Sequence, residues 1–262
     1  MNPTLYACVS LYLLGTLAVL AGLYNRSLRL QQIALGLMVG GFVAHTVWIG
    51  MICVRTDHPP LTNLPEIAAF IAWVLFAVEL FLFVRFRVHA AAFFVYPLIL
   101  MLMMITVLIR APFAPADPAL DSNLFVGHLL LSTVGIASLL TGLAFFVLYR
   151  FQERSLKSKR QGALFEWIPS LSVCEIVSYR ALAVGFGIYT TGLLAGFLWS
   201  YRTQVGGYDI RSKEIAAVVA WVLFAALLQS YNSGTLRTSK NLVISIAAFV
   251  SILVAILGVQ HV

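Results

Sequence analysis

Eight apolar stretches, each close to the length that crosses a bilayer, run through this chain with little sequence between them. A helical crossing takes about 20 mostly apolar residues. The stretches fall near 4–24, 33–53, 67–84, 91–109, 126–149, 181–200, 215–231 and 242–260. Lipid offers no partner to an open backbone N–H or C=O, so runs of this length become helices, whose backbone bonds close within the segment. With 61% hydrophobic and 10% charged residues and a mean hydropathy of +0.95, the expected fold is an all-α integral membrane bundle. It would be a single eight-helix transmembrane domain over 1–262. No stretch remains for a soluble domain, so function has to reside inside the bundle or in its short loops.

Lys and Arg set the orientation, because cytoplasmic loops retain positive charge. The odd-numbered loops hold Arg26, Arg29, Arg85, Arg87, Arg150, Arg154, Lys157, Lys159, Arg160, Arg180, Arg237 and Lys240. The even-numbered loops hold Arg55, Arg110, Arg202, Arg211 and Lys213. Odd loops are therefore expected in the cytoplasm and both termini outside. No basic residue precedes the first apolar run, which differs from the basic start of a cleavable signal peptide. The net charge of +7 gathers at cytoplasmic ends, where it meets anionic lipid headgroups. It requires no nucleic acid.

Small residues at helical spacing, Gly36 with Gly40 and Gly192 with Gly196, predict close helix approach. Trp48 and Trp199 are expected toward the outer interface, where an indole keeps its ring apolar and its N–H wet. Glu79 lies within the third crossing, where a carboxylate costs roughly 2.5–3.5 kcal/mol on insertion scales. It reads as a buried group, neutral or hydrogen-bonded, with Arg180 a candidate partner. A proton or ion relay is the other reading, although no second acidic residue lies in the remaining crossings. Cys8, Cys53 and Cys174 are isolated and form no metal-binding pair. Cys8 and Cys53 both fall near the outer face, where a disulfide is chemically permitted, but nothing in the sequence brings them together. No phosphate-binding glycine loop, catalytic triad or carboxylate pair can be assembled, so nothing argues for an enzyme.

On this topology four of the five histidines lie at or near the outer side. His128 opens the fifth crossing and His261 closes the eighth. His58 sits in an outward loop, and His45 lies about 12 Å below the outer end of the second crossing. Only His89 faces the cytoplasm. Neutral imidazole is a good iron ligand, and haem iron takes one or two axial ligands from protein. Two histidines at one depth on separate helices can hold a haem between them. A single histidine at a helix end serves equally well at the headgroup interface. His45 is harder to treat that way, because polar groups inside a bilayer are costly and tend to be functional.

The loop at 55–66 reads RTDHPPLTNLPE and leads into IAAFIAWVLFAVELF. Asn63 can cap the following helix, Glu66 three residues on completes a capping-box-like arrangement, and Pro65 suits the first turn. This segment resembles the G-x-x-P-x-x-N-x-x-E helix entry of the cytochrome c assembly family, which includes CcsA, CcmC, HemX and YpjD-like proteins. Two further segments extend the resemblance in the same order. LFVGHLLLSTVGIASLLTGLAFFVLYRFQERSLKSK resembles that family's histidine-led crossing with its basic cytoplasmic tail. WIPSLSVCEIVSYRALAVGFGIYTTGLLAGFLWS resembles the next, with its Pro-x-Leu, Glu175 and the Gly192–Gly196 helix. His45 sits where the family has a histidine in an early crossing. His128 and His261 match the external histidines before and after the haem-handling loop. That loop, tryptophan-rich in haem-handling members, reads VGGYDIRSKE here when Lys213 and Glu214 are aligned, leaving Tyr208 as its one aromatic ring. The departure moves the resemblance toward the HemX and YpjD-like branch.

The resemblance implies a multi-pass protein of a bacterial inner (plasma) membrane that binds or delivers haem at the outer face during cytochrome c assembly. It implies b-type, non-covalent haem, with His128 and His261 as axial ligands of the iron and His45 as a deeper relay ligand. Tyr208 and Trp199 are the aromatic rings placed to meet the cofactor. Apocytochrome c and a second membrane assembly subunit are the implied partners, and no covalent chemistry need be performed by the chain itself. Two alternatives stay open. One is a HemX-like regulator or scaffold of haem biosynthesis, contacting a cytoplasmic enzyme through 152–169. The other is a transporter accessory, with Glu79 and His45 on a polar path.

Overall fold

The computed structural model describes residues 3–56, 59–61, 63–86, 92–109, 122–158, 169–203, 212–232 and 239–257. Every regular element among them is a helix. In chain order they are α1 (Pro3–Tyr24), α2 (Leu28–Thr56), α3 (Leu64–Phe86), α4 (Ala92–Leu108), α5 (Asn123–Ser158), α6 (Leu171–Thr203), α7 (Ser212–Asn232) and α8 (Ser239–Leu257). Six are long and apolar enough to cross a membrane: α1, α2, α3, α5, α6 and α7. The other two are apolar but shorter over their apolar length, Ala92–Leu108 and Val243–Val254. Many large apolar side chains point outward, among them Leu14, Val47, Phe81, Leu194 and Val243, as expected where the surrounding solvent is lipid.

Local signals in the sequence explain several helix ends. At the start of α3 the Glu66 N–H donates to Asn63 Oδ1 at 3.0 Å, and Asn63 Nδ2 donates to Glu66 Oε1 at 2.9 Å. The expected capping arrangement is therefore present, with the Asn63 side-chain amide serving as its second donor. The end of α1 closes differently. Ser27 N–H donates to Gly22 O and Arg26 N–H to Leu23 O, with Arg26 at φ 50°. That is the left-handed closure usually assigned to glycine.

Helices pack mainly as sequential hairpins, α1 with α2, α3 with α4, α5 with α6 and α7 with α8. α3 lies centrally and touches α2, α4, α5 and α8. The α5–α6 pair shares the most extensive interface. Small residues line it: a Cβ on Gly135 would lie 2.7 Å from Tyr189 N, and one on Gly185 2.9 Å from Leu139 N. Ser138 Oγ donates to Ala181 O at 3.0 Å, and Ser178 Oγ donates to Gly142 O at 2.8 Å. Close backbone approach and hydroxyl bonds to carbonyls replace the hydrophobic drive that lipid cannot supply.

Three expectations need correction. Gly36 and Gly40 do not mediate close approach, since a Cβ on Gly36 meets nothing within 4 Å and one on Gly40 only Leu11 Cδ1 at 3.8 Å. The contact face is one residue on: Gly41 lies under Tyr12 and Gly15 of α1 under Met38, at 2.7 and 2.8 Å from a Cβ. Trp48 is buried and its indole N–H has no partner, so it is a core ring and not an interfacial anchor. Arg180 does not partner Glu79. It is exposed on α6, which does not touch α3 among the described residues. Helical spacing identifies a face but not the neighbour that face meets, which is why these three readings failed.

The α5 and α6 helices also outrun their expected crossings of 126–149 and 181–200. At 36 and 33 residues they extend about 54 and 50 Å, well beyond a hydrocarbon core of about 30 Å. The added turns on the 150–158 side are polar and self-paired. Arg150 and Lys157 both reach Glu153, at 2.6 and 2.8 Å, while Gln152 and Glu153 are buried. Cys8, Cys53 and Cys174 are free thiols.

Candidate functional site

His128 lies in the second turn of α5, half-buried against α6. Its Nδ1 donates to the Gly192 carbonyl at 2.7 Å, and Ser132 Oγ lies 3.3 Å from the same nitrogen. A carbonyl only accepts, so this bond places a proton on Nδ1; in the neutral ring the lone pair is then on Nε2. Metal-ligating imidazoles are oriented in this way, the second ring nitrogen bonded to a carbonyl or carboxylate. Gly196, one turn along α6, lies beneath the ring: a Cβ there would come within 2.6 Å of His128 Cε1 and Nδ1. Gly192 and Gly196, which the sequence marks only as packing residues, thus form a socket for this side chain.

Aromatic surface continues beside the socket. Phe125, three residues before His128, meets Trp199, three residues after Gly196, with ring centroids 4.4 Å apart and planes tilted by 38°. Trp199 is half-buried. At the same end of α6, Ser200 Oγ donates to Glu214 Oε1 at 3.4 Å, tying the α6 end to the first turn of α7. Tyr208 and His261 lie outside the described residues, as do His58 and His89.

His45 belongs to a different cluster. It is fully buried on α2, with Nδ1 3.2 Å from Tyr12 Oη of α1. The Tyr12 ring meets it edge-on at 5.9 Å, and the Trp48 ring lies at 5.7 Å. His45 Nε2 has no partner. A buried imidazole nitrogen without a bond is unusual, since most buried polar atoms are satisfied. α2 and α5 do not touch among the described residues, so His45 and His128 are separate sites.

Both histidines pass a chemical test for an iron ligand, His128 by its oriented ring and His45 by its orphaned Nε2. Among the described residues no group of three or more His, Cys, Asp or Glu could hold a bare metal ion.

A family model described as Cytochrome C assembly protein matches residues 61–262. The chain belongs to the cytochrome c assembly protein family. It is 28% identical over 239 residues to the cytochrome c biogenesis protein CcsA of Chlorella vulgaris, covering 79% of this chain and 76% of that one. Against CcsA of Guillardia theta it is 23% identical over 257 residues, covering 91% and 85%. Against protein HemX of Bacillus subtilis (strain 168) it is 25% identical over 224 residues, covering 84% and 80%. The match to the family includes the capped α3 entry, His128, the Gly192–Gly196 socket and the segment carrying Tyr208.

Sequence reading selected His128, His45 and Trp199 but missed the groups that hold them. Ser132, four residues after His128, was legible in principle from helical spacing. The Gly192 carbonyl, Phe125 and Tyr12 carry no such signal, because each depends on which helix packs against which.

Proposed function

We propose that this member of the cytochrome c assembly family handles haem at the outer membrane face, binding or delivering it during maturation of c-type cytochromes. The observation that carries the reading is the His128 socket: an imidazole on α5 held by the Gly192 carbonyl, beside the Phe125–Trp199 pair, at a helix end that the charge distribution puts outside. Haem iron offers two axial positions to protein nitrogen. His128 Nε2 fills one and His261 the other, with the haem b-type and non-covalent. The aromatic pair and Tyr208 flank the ring, and His45 serves as a ligand deeper in the bilayer. The chain performs no covalent chemistry itself. It presents its ligand to apocytochrome c together with a second membrane subunit.

In this reading all eight helices cross a bacterial inner (plasma) membrane, with both termini outside. Twelve basic residues on odd loops against five on even loops support that topology. The 17 residues of α4 span about 26 Å, a deficit that local thinning of the bilayer accommodates. The test is the spectrum and the phenotype together. The protein purified in mild detergent is expected to show a Soret band with bis-imidazole features, and its deletion to lower c-type cytochrome content. A colourless protein whose deletion leaves those cytochromes intact overturns the reading.

A second reading has its own support. On the side of 152–169, α5 and α6 run about 14–15 Å past their expected crossings, and HemX proteins are among the relatives. A HemX-like regulator would use the α5–α6 hairpin to contact a cytoplasmic enzyme. Recovery of such an enzyme with the wild-type protein, and its loss when Arg154 and Lys157 are replaced by Ser, would favour it.

A further inference from the structure

A second polar site lies inside the bundle, away from both histidines. Gln31 of α2 and Glu79 of α3 are 5% and 3% exposed. Both amide atoms of Gln31 and Oε2 of Glu79 are buried with no hydrogen-bond partner. Gln31 and Glu79 both line one small, partly open cavity of about 10 Å³, together with Val19 of α1, Leu35 of α2, Phe83 of α3, and Ala92 and Tyr96 of α4. Gln31 is held there by helix packing, since its Cγ lies 3.2 Å from where Gly22 would place a Cβ.

The ligand follows from the unmet bonds. Two acceptors, Gln31 Oε1 and Glu79 Oε2, and one donor group, Gln31 Nε2, are unmet on residues that line a space the size of one water. A bare cation would satisfy the acceptors but meet the amide donor head-on. A water can donate to both oxygens and accept from the nitrogen, making the three bonds typical of a buried water. We propose that this cavity is a binding site for one water, through which Glu79 exchanges its proton with the aqueous phase on the side of the α1–α2 turn.

Placement supports the exchange. Gln31 stands in the first turn of α2 and Ala92 and Tyr96 in the first turns of α4, so the cavity lies near one end of the bundle. Tyr96 is the other titratable group lining it. The nearby cations Arg26, Arg29 and Arg85 are exposed and do not line it. His45 does not line the cavity, and the apolar Phe76 ring stands between its partner Tyr12 and Tyr96, with centroids at 6.3 and 6.1 Å.

Infrared spectroscopy of the full-length protein in lipid vesicles tests this, using water and its isotopologue as the probe. A carboxyl stretching band is expected that disappears in Glu79→Gln, shifts on transfer to D₂O and titrates reversibly with bulk pH. Gln31→Met should displace the same band by removing the amide that anchors the water. A Glu79 band that ignores D₂O would show a sealed, dry carboxyl and overturn the proposal. A band unchanged in Gln31→Met, or no Glu79-dependent band at any pH, would also overturn it. The wild-type and Glu79→Gln spectra decide the first point even if the Gln31 variant fails to assemble.

Discussion

Placing one methyl group beneath His128 should separate a shaped socket from ordinary helix packing. In Gly196→Ala the new Cβ would sit 2.6 Å from two ring atoms, where ordinary contact begins at 3.4 Å. The ring has to move by about 0.8 Å, and at that displacement the 2.7 Å bond to the Gly192 carbonyl is strained or lost. A lost hydrogen bond costs about 0.5–1.5 kcal/mol, and overpacking a tight site about 1–3 kcal/mol. Replacing a mid-helix glycine by alanine returns roughly 1 kcal/mol of helix propensity. The net expectation is a destabilisation of about 1–3 kcal/mol, read as a lower midpoint of thermal unfolding in detergent. Gly187→Ala on the same helix is the control, because a Cβ there meets nothing within 4 Å; it should be neutral or slightly stabilising. In a His128→Ala background the obstructing ring is gone, so Gly196→Ala should cost nothing there. The double-mutant cycle then gives a coupling of about 1–3 kcal/mol. Additive effects, or Gly196→Ala behaving like Gly187→Ala, would refute the socket.

Gly135→Ala should destabilise the α5–α6 pair by at least as much, since its Cβ would meet the Tyr189 backbone at 2.7 Å and backbone yields less than a side chain; Gly36→Ala, which faces open space, should not, and the same unfolding assay compares them. Asn63→Ala should lower stability by about 1 kcal/mol through loss of the α3 cap, with Asn63→Ser, which keeps an acceptor for the Glu66 N–H, retaining most of it. Tyr12→Phe removes the one described hydrogen bond of His45 and should cost about 1–3 kcal/mol, the penalty of leaving a buried polar group unmet, without altering any spectrum that depends on His128.

Much of the fold was legible from the sequence because lipid leaves few choices. Each long apolar run had to be a helix, and all eight expected stretches have helical counterparts. The α3 entry was legible in atomic detail, since a cap is decided by residues three positions apart. Contacts between helices were not. Gly36 with Gly40 and Gly192 with Gly196 carry the same four-residue spacing, yet only the second pair is closely packed against a neighbour. Trp48 reads as an interfacial ring from its place in the helix, but it is buried with its indole N–H unmet. The site divides in the same way. His128 could be chosen for its position at the head of a crossing, but its carbonyl partner lies 64 residues away. Gln31 drew no notice in the sequence, because a glutamine near a helix start is ordinary until both of its amide atoms are found buried and unmet.

Haem ligation through His128 is tested most directly by absorbance of purified wild-type and His128→Ala protein, each measured with and without added imidazole. The account predicts a six-coordinate, bis-imidazole spectrum for the wild type. It predicts a weakened, five-coordinate spectrum for the variant, restored by imidazole as the small ligand takes the vacated axial position. Equal haem content and identical spectra in the two proteins, with no response to imidazole, would contradict it.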